Sequence, residues 1–219
     1  MTPTDEAFLD ASVLACALAV ALWLRPWRLL RGGALLTPLL ATLVVLPWVW
    51  ALPQLHTMPL QLQFSGACMV LLMLGWPLAV PTLLLVAVEA GVLGGAPSLE
   101  SMAAQALWQG VLPATLALGL GALLRRFTGE HLFVYVLGRA FLGTAVCAFA
   151  TGALAQWSGQ LLPGVDEGLS MVARWLMAWG DAFMTGMLAA IFVAFKPQWL
   201  ATWSDQLYLR KPPAEKPPK

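Results

Sequence analysis

Four ionisable side chains, Glu89, Arg139, Arg174 and Asp181, fall inside long apolar runs of this 219-residue chain. A charge at the centre of a bilayer costs at least about 2.5–3.5 kcal/mol on insertion scales, so each is a candidate for pairing, proton handling or solute contact. Arg174 and Asp181 are seven residues apart, which puts them on one face of a helix. Counted from the same end of their runs, Arg139 and Asp181 differ in depth by about 9 Å. A tilted helix and a long guanidinium side chain span that gap, so Arg139 and Asp181 are the expected structural ion pair. Glu89 is placed to reach Arg174. Of the two histidines, His56 stands two residues before Met58, and an imidazole with a thioether suits copper or nickel better than magnesium or calcium. Gln63 and Asp181 join this set by position and Glu89 by charge, so the candidate metal or solute contacts are His56, Met58, Gln63, Glu89 and Asp181. His131 lies at the opposite end of the molecule and reads as an interfacial histidine.

Enzyme chemistry has no comparable support. The chain carries no GxxxxGK[ST], HExxH, GxSxG or CxxC, and its two histidines fall near opposite faces, so no catalytic residues are expected. Cys16, Cys68 and Cys147 each sit alone in an apolar run and read as small buried hydrophobes.

The elements that must position these groups follow from composition. Hydrophobic residues make up 60% of the chain and charged residues 11%, with a mean hydropathy of +0.78 and a net charge of +1. Soluble domains are nearer 45–50% apolar and about 25% charged, so a membrane protein is indicated, and disordered, disulfide-stapled and nucleic-acid-binding classes are excluded. Apolar stretches run over Ala7–Leu24, Gly33–Leu52, Phe64–Gly95, Met102–Leu124, His131–Ala155 and Leu169–Phe195. Positive charge gathers between them at Arg25, Arg28 and Arg31, at Arg125 and Arg126, and at Lys196 with Arg210, Lys211, Lys216 and Lys219. The positive-inside rule places all three groups in the cytoplasm. The remaining loops, around Leu55–Gln61, Pro97–Ser101 and Gln156–Gly168, contain no lysine or arginine and face outward.

For both flanking loops to be outside, Phe64–Gly95 must enter and return. Its corner is expected at Gly75-Trp76-Pro77, because proline lacks an amide donor and disfavours helix in the residue before it. The first limb, Phe64–Leu74, is about 17 Å long, short of a core of about 30 Å. Irregular backbone at such depth survives only packed in protein or lining a cavity, and broken elements of this kind mark substrate sites in transporters. The expected fold is therefore an all-α polytopic helical bundle of about seven transmembrane segments, including this short proline-broken hairpin. Its N-terminus is outside and its C-terminus cytoplasmic. Residues 1–209 form one integral-membrane domain and 210–219 a disordered Lys/Pro-rich tail.

Met1–Asp10 has no basic residue, unlike a secretory leader, and is expected to be retained. Ala117 with Gly121, Ala148 with Gly152, and Ala182 with Gly186 and Ala190 place small residues four apart, the pattern of closely packed membrane helices. Most of the 11 tryptophans flank span ends as an interfacial belt, while Trp175 and Trp179 share one helix face.

The segment Gly180-Asp-Ala-Phe-Met-Thr-Gly-Met through Lys196-Pro-Gln-Trp-Leu and Asp205-Gln-Leu-Tyr-Leu209 resembles the ending of a bacterial family of energy-coupling-factor (ECF) ABC transporter permeases. That family is related to the CbiM-like cobalt/nickel substrate-binding membrane components. Gln63-Phe-Ser-Gly66 through Leu74-Gly75-Trp76-Pro77-Leu78-Ala79 resembles its third segment and Leu132-Phe-Val-Tyr135 its sixth, so the resemblance covers about Gln63 to Leu209. It implies seven crossings with an outside N-terminus and capture of a divalent transition metal as cargo. It further implies an ECF coupling membrane protein and cytoplasmic ATPase subunits as partners, in the bacterial inner membrane, with membrane lipid around the bundle and neither nucleic acid nor a resident cofactor involved. In the relatives the metal is held by an N-terminal Met-His and a third-segment histidine. This chain begins Met1-Thr2-Pro3 and carries Gln63 at the latter position. The expected function is thus an ECF-type permease or substrate-binding component for a transition metal. A small organic-solute transporter of the same fold and a non-transporting membrane scaffold are the alternatives.

Overall fold

The structure, a computed structural model, describes residues 3–55, 63–95, 98–128, 131–160, 162, 167–204 and 208. These are all-helical. Helix α1 runs Pro3–Trp23, the single turn α2 Trp27–Leu30 and α3 Leu36–Leu55. After them come the short α4, Ala67–Leu74, and α5, Trp76–Leu93. Three long helices complete the bundle: α6 Leu99–Thr128, α7 Val134–Trp157 and α8 Glu167–Phe195. Helices α3, α5, α6, α7 and α8 are long and apolar enough to cross a membrane, and α1 contributes a shorter apolar stretch, Ala7–Trp23. The expected tail, 210–219, lies outside the described residues.

Two apolar clusters hold the bundle. The larger joins α3, α4, α5 and α6 around Trp50, Leu71, Leu74, Leu83 and Val86, all nearly inaccessible. The smaller gathers Met69, Leu72, Tyr135, Leu200, Trp203 and Tyr208. Outward faces are equally apolar, with Val44, Val45, Leu85, Val88 and Val92 exposed, as expected of helices whose surroundings are lipid rather than water.

The break in the third apolar run falls at Gly75. Its φ of 73° and ψ of 155° lie in a region essentially restricted to glycine, and Pro77 starts α5 at a position where a missing amide donor is harmless. A Cβ at Gly75 would sit 3.7 Å from Ala201 and 4.0 Å from Leu29, so the corner lies on the same face as Arg28 and Lys196. At the far end of α5, Gly91 lies against Met102 and Gly94 against Gln54. The chain therefore turns at the basic face and α5 climbs back to the opposite one.

Helix α4, only about 12 Å long, begins beside Asp181 in the middle of α8 and ends at that basic corner. It is a half-helix. Its last carbonyls are capped by the segment after α8: the Ala201 N–H donates to Met73 O at 2.9 Å, and the Thr202 hydroxyl donates to Leu72 O at 3.0 Å. Those two residues follow directly on Lys196-Pro-Gln-Trp-Leu, so this stretch has a structural task.

The corner supplies a stability test. Gly75→Ala should destabilise the protein by about 1–3 kcal/mol, because alanine must enter a backbone region it rarely adopts. Gly119→Ala, in open space on α6, should be neutral or stabilising by up to about 1 kcal/mol. Thermal unfolding of both variants in one detergent reads the contrast, and equal midpoints would show the corner to be unstrained.

Candidate functional site

The non-helical stretch Gln63–Gly66 leads into α4 at the depth of Trp50, Gln109 and Asp181, each well inside its own helix. With no lipid partner for backbone polar groups, every one must find protein. The Gln109 amide donates to Phe64 O at 2.8 Å, and the Trp50 indole donates to Ser65 O at 2.9 Å. The Gly66 N–H donates to Asp181 Oδ1 at 2.9 Å, and the Gln63 N–H points at Met177 Sδ at 3.1 Å. Gly66, at φ 64°, is the N-cap residue of α4 and brings no side chain of its own, so the Asp181 carboxylate from α8 supplies the anionic cap.

Gln109 takes part twice, for a reason written in the chain. Pro113 has no N–H, so the carbonyl four residues earlier, that of Gln109, loses its α-helical donor. The helix widens locally into a π-segment, Ala106–Val111, where the Leu112 N–H bonds back to Leu107 O. The Ser65 hydroxyl donates to the freed Gln109 carbonyl at 2.6 Å.

Beside this stretch lies a cavity of about 370 Å³, within the range of small-ligand sites. Its mouth is formed by the exposed Gln54, Gln63 and Ser101, on the face opposite the arginine loops, and its floor reaches Pro113, Ala148 and Asp181. Five lining residues are glutamines: Gln54, Gln63, Gln105, Gln109 and Gln160. Arg174 stands on the wall. Its Nη2 donates to the main-chain carbonyl of Gln160 at 2.5 Å, while its Nε is buried without a hydrogen-bond partner among the described residues. Gly152 makes room for it: a Cβ there would lie 3.3 Å from Arg174 Cδ.

Among the expected contacts, Gln63 and Asp181 therefore share one cavity. Glu89 does not join them; it is exposed on the outer face of α5 beside Val88 and Val92, and forms no ion pair with Arg174. His56 and Met58 lie outside the described residues. Among those described, no three His, Cys, Asp or Glu side chains come together as a metal-binding group.

The expected Arg139–Asp181 pair is not formed. Asp181 faces Gly66, and Arg139 is buried against Gly121 with its guanidinium carbon 5.8 Å from the Tyr135 ring centroid. The reason is depth and direction. Phe141 packs at Gly186, so Arg139 is level with a point some seven residues, or about 10 Å, beyond Asp181 along α8. Helical side chains lean toward their own N-terminus, which carries the Arg139 side chain farther from Asp181. The small-residue faces are closely packed as expected, with side chains of the neighbouring helix, Arg139, Arg174 and Phe141, seated at Gly121, Gly152 and Gly186. Trp175 and Trp179, on one face of α8, pack edge-on against each other, with Phe149 edge-on to Trp175 and Phe141 tilted against Trp179.

Trp50, Ser65, Gln105 and Gln109 were not among the expected site residues. The one signal for the glutamines is their spacing, Gln105 and Gln109 four apart inside an apolar span together with Pro113. Compared with known protein families, curated proteins and solved structures, the chain matches none.

Removing the Asp181 cap tests the site. Asp181→Leu leaves the Gly66 N–H unsatisfied at depth and should destabilise the protein by about 1–3 kcal/mol, whereas Asp181→Asn keeps an acceptor oxygen and should lose less than about 1 kcal/mol. Thermal unfolding in a fixed detergent separates the two, and equal losses would mean that the hydrogen bond does not hold the half-helix.

Proposed function

We propose that this chain is the membrane-embedded solute-binding permease component of an ECF-type transport system in the bacterial inner membrane, taking its cargo from the outer side. One observation carries the reading: a protein-walled cavity beside the non-helical approach to a half-helix has its mouth on the face away from every described basic loop. The positive-inside rule makes that face the outer one. Discontinuous helices whose ends meet near mid-depth are the usual architecture of solute sites in transporters. The same orientation gives an outside N-terminus and a cytoplasmic C-terminus, with α1, α3, the α4 half-span, α5, α6, α7 and α8 as seven segments. A coupling membrane protein and cytoplasmic ATPases would supply the energy, as the family resemblance implies.

Of the cargoes the sequence raises, the cavity favours a small organic solute. Five glutamines stand among the apolar residues of its wall, and the Arg174 guanidinium repels a bare cation. A transition metal is the second reading, favoured by Gln63, the Met177 sulfur and the Asp181 carboxylate around one cavity, with His56 and Met58 a few residues before Gln63 in the chain.

Two measurements test these statements. In intact cells, a membrane-impermeant maleimide should label Ser101→Cys and Gln63→Cys, and should reach Arg126→Cys only after lysis; the reverse pattern would overturn uptake from outside. Calorimetric titration of the full chain in lipid nanodiscs with nickel, cobalt, copper and zinc should show no saturable single site. Stoichiometric binding weakened by both His56→Ala and Asp181→Asn would instead select the metal reading.

A further inference from the structure

We infer that the cavity recognises a small organic anion of the carboxylate class, with Arg174 as its anchor; this rests on the solute-binding reading above and names the cargo's chemistry.

The argument starts from how the two charges on the cavity wall are compensated. The Asp181 carboxylate is committed to the Gly66 N–H at the start of α4, where the aligned peptide dipoles of the half-helix add positive potential. Arg174 has no such arrangement. Among the residues whose side chains are described, no carboxylate pairs with it, and a single carbonyl, that of Gln160, accepts from its Nη2. Its Nε has no hydrogen-bond partner among the described residues. A guanidinium inside a membrane protein is normally paired, because an uncompensated charge there costs several kcal/mol. The natural complement to its planar fork is a carboxylate, which accepts two parallel N–H bonds.

The remaining wall suits the neutral body of such a molecule. Gln105 has its amide N–H groups on Trp50 O and Gln109 Oε1, and Gln109 donates to Phe64 O. Gln54, Gln63 and Gln160 have no side-chain hydrogen bond to another described residue, which leaves their amide donors and acceptors for a ligand. Arg174 and Asp181 are two helical turns apart, about 10 Å along α8, so an anionic group at Arg174 stays clear of the carboxylate below it.

The test reads the preference of the cavity directly. Gln160→Cys, beside the guanidinium, and Gln105→Cys, on the facing wall, are each made in a full chain whose Cys16, Cys68 and Cys147 are alanine. Gel filtration checks the fold of each variant. Each is treated with the anionic sulfonatoethyl and the cationic trimethylammonioethyl methanethiosulfonates, and rates are normalised to those with free cysteine. At Gln160→Cys the anionic reagent should be favoured. Adding Arg174→Gln should lower the anion-to-cation ratio about tenfold, while Arg174→Lys should preserve it. Modification by both reagents with a cationic preference, or a ratio untouched by Arg174→Gln, would overturn the anion assignment and leave the solute cavity standing. Failure of both reagents at both cysteines would overturn the solute-binding reading itself.

Discussion

A helix of eight residues, seven of them buried, has two ends whose backbone groups need partners, and the rest of this bundle is organised around that constraint. The amides that open α4 and the carbonyls that close it need partners from within the protein. Helix α8 and its continuation supply both, with Asp181 at the upper end and Ala201 and Thr202 at the lower. The Tyr135 hydroxyl, 2.8 Å from Thr202 Oγ1, ties α7 to the same lower cap. Because α8 clamps both ends, the half-helix and the last span form one mechanical unit. The cavity lies where that unit meets α6 and α7.

Irregular backbone propagates. A half-helix leaves a non-helical approach, Gln63–Gly66, whose carbonyls need donors from neighbouring helices. Helix α6 meets that need by being irregular itself: Pro113 frees the Gln109 carbonyl, and the widened turn holds the residue whose side chain and main chain both bond the approach. Two local departures from ideal helix, each costly alone, satisfy each other. This reciprocity explains polar groups so deep in a chain that is 60% hydrophobic.

The sequence carries the coarse architecture well, for physical reasons. Twenty-residue apolar runs leave a helix as the only self-satisfied backbone, and Gly75-Trp76-Pro77 reads as a corner because proline and glycine act locally. The site is less legible. Charges stand out against an apolar background, so Asp181 and Arg174 were visible, but their partners were not. Position within an apolar run gives only a coarse depth, and the Arg139–Asp181 pairing failed because packing sets the two about 10 Å apart in level and the Arg139 side chain leans away. Neutral donors such as Gln105, Gln109 and Trp50 hide in a hydropathy profile. What engages Trp50 and Gln109 is a carbonyl of the non-helical approach to α4, at a separation of 15 residues for Trp50 and 45 for Gln109, and that is a tertiary fact.

The glycines show how a bundle of this kind accommodates cations. A small residue in a membrane helix is usually taken to let another backbone approach, yet Gly121 admits the Arg139 guanidinium and Gly152 the Arg174 stem. In each case the missing Cβ creates a slot beside the helix in which a long side chain lies flat. The two slots have different surroundings. That of Arg139 is closed over by the Tyr135 ring near the basic face, whereas that of Arg174 borders the polar cavity. Arg139 is thus held by packing and an aromatic face, and Arg174 is held by packing and by the Gln160 carbonyl, at the wall of the cavity. The difference between the enclosed arginine and the cavity-lining one lies in what stands opposite the glycine.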